Sequence, residues 1–225
     1  TDGNPIAPKD TYSSVTRTYD SFGNVVSEVY EDHEGQPVAC KKGYASLERT
    51  YEAKGHLTSE AYFNADGTPY TLSGKYASFT QVCDEAGNAA VIRYFDAEGK
   101  PVMSSSGYAE IRRTYSAFNR VLEERYYGKD TLPAVNTSGV HAILRTWDTL
   151  GQKLSESYLN AADEPCQSGN SFVKVTYAYD TLGNCILEKY WDADNQPVAN
   201  RSGITAVQRV YSDKKLLLEE SYLDA

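Results

Sequence analysis

The sequence is poor in the residues that most often announce chemistry. It has one methionine, two tryptophans and three histidines, and its four cysteines never fall in a C-x-x-C or similar paired spacing. Zinc sites and disulfide frameworks both depend on such pairing. Cys40, Cys83, Cys166 and Cys185 therefore read as free, half-buried thiols, with a Cys166–Cys185 bridge left open. His33, His56 and His141 have no companion at ligand spacing. No position joins a nucleophile, a base and an orienting group, so no catalytic residue, metal ligand or cofactor is expected and the chain reads as a non-enzyme. Basic stretches are missing too. Twenty-two Lys and Arg face 31 Asp and Glu, for a net charge of −9, which is the wrong sign for neutralising phosphates. Nucleic acid is not an expected partner. No apolar run approaches the roughly 20 residues of a membrane span, so no membrane insertion is expected of this segment. A leader-like segment and an initiator Met are also absent, which points to a fragment or a processed chain.

What is present is a repeat. Pro5, Pro37, Pro69, Pro101, Pro133, Pro165 and Pro197 stand 32 residues apart without insertion, and Tyr30, Tyr62, Tyr94, Tyr126, Tyr158, Tyr190 and Tyr222 keep the same step. A second aromatic series runs Tyr19, Tyr51, Tyr115, Trp147, Tyr179 and Tyr211, broken once by Cys83; a third runs Tyr12, Tyr44, Tyr76 and Tyr108, continued by Val140, Phe172 and Ile204. These series hold 16 of the 19 tyrosines, so tyrosine richness belongs to the repeat and not to one site. Thr1 and Ala225 occupy the same repeat position. The units run about 5–36, 37–68, 69–100, 101–132, 133–164, 165–196 and 197–225 within a single array.

Within the unit 37–68, glycine and proline mark off a short strand at 37–40, a longer one at 44–52 and another at 56–64. Nothing keeps a helical period. The fold class is all-β: seven 32-residue β-hairpin repeats stacked as an elongated solenoid or superhelix, with a seven-bladed closed ring as the alternative. Alternation puts Leu47, Arg49 and Tyr51 on one face of the first long strand and Thr58, Glu60 and Tyr62 on the same face of the second. A short loop at Lys54-Gly55 sets Tyr51 opposite Thr58, Arg49 opposite Glu60 and Leu47 opposite Tyr62. The same rule pairs Arg17 with Glu28, Arg113 with Glu124, Arg145 with Glu156 and Arg209 with Glu220. The third unit loses both charges together, carrying Gln81 opposite Ile92, as a contact predicts. Tyr177 opposite Glu188 is the exception, with a phenol as possible donor. A repeated Arg partner keeps each carboxylate ionised, which fits a structural ladder on an inner face better than acid–base work.

The turns at Asn64-Ala65-Asp66-Gly67, Asp96-Ala97-Glu98-Gly99 and Asp192-Ala193-Asp194-Asn195 carry too few oxygens for an EF-hand. They read as turns whose Asp and Asn bond their own backbone. The strongest binding candidates are aromatics on the opposite face: Phe63, Phe95, Tyr127 and Trp191 at one repeat position, joined by parity with Tyr44, Tyr76 and Tyr108 at the hairpin base. Spaced flat rings suit sugar stacking or a peptide groove; the competing reading is a second core layer covered by neighbouring units.

Tyr19-Asp20…Gly23-Asn24 and Tyr179-Asp180…Gly183-Asn184, with the variants Cys83-Asp84…Gly87-Asn88 and Trp147-Asp148…Gly151-Gln152, resemble the YD repeats of RHS-type bacterial surface and toxin-associated proteins. Tyr62-Phe63-Asn64-Ala65-Asp66-Gly67 and Tyr94-Phe95-Asp96-Ala97-Glu98-Gly99 are similar to choline- and glucan-binding cell-wall repeats, from which no binding residue is carried over. These resemblances imply β-hairpin arrays in an extracellular or cell-surface bacterial setting. Two functions follow as expectations. One is a non-enzymatic surface module that binds glycan or cell-wall polymer through Phe63, Phe95, Tyr127, Trp191, Tyr76 and Tyr108. The other is a spacer or protein-interaction scaffold within a larger surface or toxin-associated protein, with another surface protein as partner.

Overall fold

A computed structural model describes residues 12–224. Pro5 of the proline series, and Thr1 and Ala225, lie outside the described residues. The long strands come in pairs, each a six-residue strand followed by a seven-residue one: β1 (Ser14–Tyr19) and β2 (Val25–Glu31), β3 (Ser46–Tyr51) and β4 (Leu57–Phe63), β5 (Ser78–Cys83) and β6 (Ala89–Phe95), β7 (Glu110–Tyr115) and β8 (Val121–Tyr127). The series continues with β9 (Ala142–Trp147) and β10 (Lys153–Leu159), β11 (Lys174–Tyr179) and β12 (Cys185–Trp191), β13 (Ala206–Tyr211) and β14 (Leu217–Leu223). No helix occurs among the described residues.

The chain divides into two compact units within β7, one ending at Ile111 and the other starting at Arg112. In the first, β1 to β6 pair antiparallel with each successor, across hairpins and between them. In the second, β8 to β14 do the same. Separate blades would interrupt these ladders at each blade edge. Each unit is an open stack of hairpins, as the solenoid reading expects, and not a group of blades.

The register follows the predicted charge pairs. Arg17 faces Glu28, Arg49 faces Glu60, Arg145 faces Glu156, Arg209 faces Glu220, and Gln81 faces Ile92. At the turn end it differs from expectation: Tyr51 pairs with Leu57, not Thr58, because the register shifts between Thr50 and Tyr51. Glu52 N–H donates to the His56 carbonyl at 3.0 Å and Gly55 N–H to the Glu52 carbonyl at 2.8 Å, closing a turn that leaves Thr58 as the extra, bulged residue. A bulge of this kind sharpens the local twist, and register shifts stand at the matching position of the β1–β2, β5–β6, β9–β10, β11–β12 and β13–β14 hairpins. The turn needs a left-handed residue: Gly23, Gly55, Gly87, Gly151 and Gly183 have φ of +80° to +87°, and Asn119 and Lys215 hold φ of 59° at the same place. Glycine reaches that region without the Cβ clash that penalises other residues.

The expected short strand at 37–40 shrinks to a single bridge, repeated as Glu31–Pro37, Phe63–Pro69 and their counterparts. Proline cannot donate, so it suits an isolated bridge better than a continuous ladder. The core lies on the face of the tyrosine series: Leu47, Tyr62 and Tyr44 are buried in one unit, and Tyr126, Tyr158, Tyr190, Val175 and Val207 in the other. The four cysteines are free, Cys40 buried and the others half-buried.

Candidate functional site

The regularity of the fold repeats one side-chain constellation from hairpin to hairpin, with exceptions at Gln81–Ile92 and Tyr177–Glu188. In the first unit, Arg49 Nε donates to Glu60 of its own hairpin at 2.6 Å, and its Nη1 reaches back to Glu28 of the preceding hairpin at 2.9 Å. In the second unit Arg145 repeats this fork, 2.8 Å to Glu156 and 2.8 Å to Glu124. Arg209 does so again, 2.6 Å to Glu220 and 3.7 Å to Glu188. The sequence predicted the pair inside each hairpin. The second arm, which ties one hairpin to the next, was not foreseen. It exists because the planar guanidinium presents donors on two edges, which a lysine would not.

Several of these glutamates also accept from the tyrosine two positions along the strand: Tyr158 to Glu156 at 2.8 Å, Tyr190 to Glu188 at 2.7 Å, and Tyr62 to Glu60 through a short contact. Burial works against the Arg49 charge, but the hydrogen bonds and charges of Glu60 and Glu28 outweigh it and raise its pKa. Burial likewise opposes the Glu156 charge, and the Tyr158, Arg145 and Lys153 hydrogen bonds still bring its pKa below the ordinary value. Where Tyr177 replaces the arginine, Glu188 has Arg209 of the next hairpin and Tyr190 as partners, and Lys153 Nζ lies 5.0 Å over the Tyr177 ring. Glu156 is thus held ionised. A general acid requires the reverse.

The second aromatic series has a function that was missed. Tyr51 Oη donates to the Val25 carbonyl at 2.9 Å, Trp147 Nε1 to the Val121 carbonyl at 2.9 Å, and Tyr179 Oη to the Lys153 carbonyl at 2.8 Å. Each joins a hairpin to the start of the last strand of the hairpin before it. A signal was available: the series admits Tyr, Trp and Cys but never Phe, which has no donor. Tyr51→Phe is expected to cost about 1 kcal/mol in urea unfolding, the net worth of one such bond. Tyr51→Trp, which keeps a donor, is expected to retain more stability than Tyr51→Phe.

The outer aromatics are spread along the other face. Phe63, Phe95, Tyr127 and Trp191 are all half-buried. Arg112 lies 4.0 Å over the Tyr127 ring, His141 meets its edge at 5.4 Å, and Trp191 Nε1 donates to Thr176 Oγ1 at 2.8 Å. Tyr76 and Tyr108 do not share that face, and Tyr44 does not either. Tyr76 packs on Tyr62 and Tyr94 with ring centroids 6.4 and 4.7 Å away, Tyr108 on Tyr94 at 6.1 Å, and Tyr44 on Tyr62 at 5.1 Å. They belong to the inner column. Parity failed because these residues precede a bend, at Ala45 and its counterparts, and alternation holds only along extended backbone. A cavity of about 360 Å³ opens in the inner column beside Val140 and Tyr158, where Val140 replaces a ring, away from the outer aromatics.

The turn carboxylates bond their own backbone, as read from the sequence. Asp96 Oδ1 accepts from Glu98 and Lys100 N–H at 3.1 and 2.8 Å, and Asp192 Oδ1 from Asp194 and Gln196 N–H at 2.9 and 2.8 Å. The Asp20 and Asp180 of the Tyr-Asp-x-x-Gly-Asn strings hold the same pattern, closed by Asn24 and Asn184 at 2.9 and 2.8 Å. No cluster of three His, Cys, Asp or Glu that could hold a metal occurs among the described residues. No helix there is long and apolar enough to cross a membrane.

No family model and no curated protein matches the sequence. Solved structures do. The crystal structure of TcdB2-TccC3 matches over 93% of this chain at 14% identity and a TM-score of 0.56, and that of TcdB2-TccC3-TEV over 92% at 14% and 0.56. The likeness is one of fold. The chain spans 9% of the length of each of those chains, so it corresponds to a small stretch of a much larger polypeptide. Its stacked hairpins are an architecture found within that larger chain.

Proposed function

We propose that this chain is a structural segment of a larger, toxin-associated bacterial protein, with no catalytic activity of its own and with proteins as its partners. The observation that carries this reading is the match of nearly the whole chain to a stretch of the TcdB2-TccC3 chain. The side chains that repeat agree with it: Arg49 is spent on Glu60 of its own hairpin and Glu28 of the one before, and Tyr158 on Glu156 of its own strand, so these groups hold the stack together. An extracellular or cell-surface setting is proposed with it, on the strength of the YD-type resemblance.

Isothermal titration of the chain with choline, glucan and peptidoglycan preparations tests the proposal against the glycan reading. The expected result is no saturable heat. Saturable binding that Trp191→Ala abolishes, with circular dichroism unchanged, would overturn it.

A further inference from the structure

In several hairpins the ring that precedes the first strand packs on the tyrosine of the last strand. Tyr12 lies 4.9 Å from Tyr30, Tyr44 5.1 Å from Tyr62, Tyr76 4.7 Å from Tyr94 and Phe172 4.7 Å from Tyr190, centroid to centroid. Val140 holds that place before β9 and has no ring to offer Tyr158. The space it leaves shows in a cavity that recurs along the repeat. Beside Tyr12 and Tyr30 it measures about 150 Å³, beside Phe172 and Tyr190 about 200 Å³, and beside Val140 and Tyr158 about 360 Å³. Of the three, only the last reaches the roughly 300–1,000 Å³ usual for a small-molecule site. Both β9 and β11 pair with β10, so the gap comes from the identity of residue 140 and not from an uncovered strand.

The lining defines the guest. Val140 is fully buried and Tyr158 is 7% exposed, so the interior is apolar and offers the face of a ring. Thr137, Ser138 and Asn170 also line the cavity and are exposed, which puts hydroxyls and an amide at its mouth. Glu156 is the charged group of the lining, and Arg145, Lys153 and Tyr158 already donate to it. No charge is left for a ligand to pair. We propose that this cavity binds a small neutral molecule with one aromatic ring and a polar group on that ring. The ring takes against Tyr158 the place that Phe172 takes against Tyr190, where tilted or offset rings attract each other beyond the area they bury. The polar group faces the hydroxyls and the amide at the mouth. A saturated ring of equal size has no such attraction to the Tyr158 ring.

The test is isothermal titration of the chain with phenol, with cyclohexanol as the saturated control and circular dichroism recorded at each end point. Phenol is expected to bind saturably with a Kd of about 1 mM or tighter, and cyclohexanol at least about threefold more weakly. Val140→Phe restores the ring that Phe172 supplies one repeat later and is expected to weaken phenol binding at least about tenfold, with the strands retained. Val140→Ile, which installs the residue found at Ile204, narrows the cavity less and is expected to weaken binding about threefold. It carries the test if the larger ring prevents folding. A wild-type chain without saturable phenol binding overturns the proposal. So does binding that neither substitution weakens, or cyclohexanol bound as tightly as phenol.

Discussion

Arg145→Met is expected to destabilise the fold by about 2–4 kcal/mol. The arginine is 16% exposed and serves two carboxylates that are 14% and 16% exposed, Glu124 and Glu156. Removing the shared partner of a buried pair strands the charges that remain, which costs about 3–5 kcal/mol at full burial. The lower figure reflects the residual solvent and the other donors at Glu156, Lys153 at 3.1 Å and Tyr158 at 2.8 Å. Arg17→Met offers the contrast: that side chain is 45% exposed and its pair with Glu28 spans 3.3 Å, so under about 1 kcal/mol is expected. Urea midpoints of the two variants decide the matter, and equal losses would mean the ladder is solvated throughout. Glu124 keeps Arg113 of its own hairpin at 2.8 Å, so the loss falls mainly on Glu156, and adding Glu156→Gln to Arg145→Met should recover part of it. The third hairpin is a natural version of that repair, with Gln81 opposite Ile92 and no charge on either side.

That pair also explains why so much of the fold was legible. A 32-residue period repeated without insertion turns one sequence into several parallel observations of the same strand pair. The joint loss of Arg and Glu at Gln81 and Ile92 marks these two positions as facing each other, which sets the register. Alternation stops predicting faces where the backbone is not extended. The bulge at Thr58 and the bend at Ala45 are set by turn closure, which hydrophobic pattern does not encode. Tyr76 and Tyr108 were consequently placed on the wrong face. The contacts between hairpins were harder still, since Arg49 with Glu28 and Tyr51 with the Val25 carbonyl are neither local nor directly opposed. Only the Tyr51 contact left a trace in the sequence, the exclusion of Phe from its series.

The tyrosine column leads to the other large effect, a loss of structure at alkaline pH. Burial raises the pKa of Tyr44, Tyr62, Tyr158 and Tyr177 above the ordinary value of 10.0, with glutamate charges adding to it. For Tyr190 burial and the hydrogen bond to Glu188 push it up to about 12. A phenol whose pKa is higher folded than unfolded contributes stability that is complete below the unfolded value and lost as pH rises through the folded one. Denaturant midpoints should therefore be flat up to pH 10 and fall from there, with the strands lost by about pH 12 because several phenols release protons together. The acid arm is gentler. Asn24, Asn88 and Asn184 side chains lower the pKa of Asp20, Asp84 and Asp180 below 3.8, so their contribution fades only below that pH, and these carboxylates lie at the surface. Phenolate absorbance and strand circular dichroism followed in the same alkaline titration check the claim. Part of the phenolate signal should appear only as the strands disappear, and complete tyrosine ionisation over an unchanged circular dichroism spectrum would show that the column is open to hydroxide. Tyr62→Phe shifts the fall to higher pH if Tyr62 is among the phenols that drive it, because a ring without a hydroxyl has no proton to release.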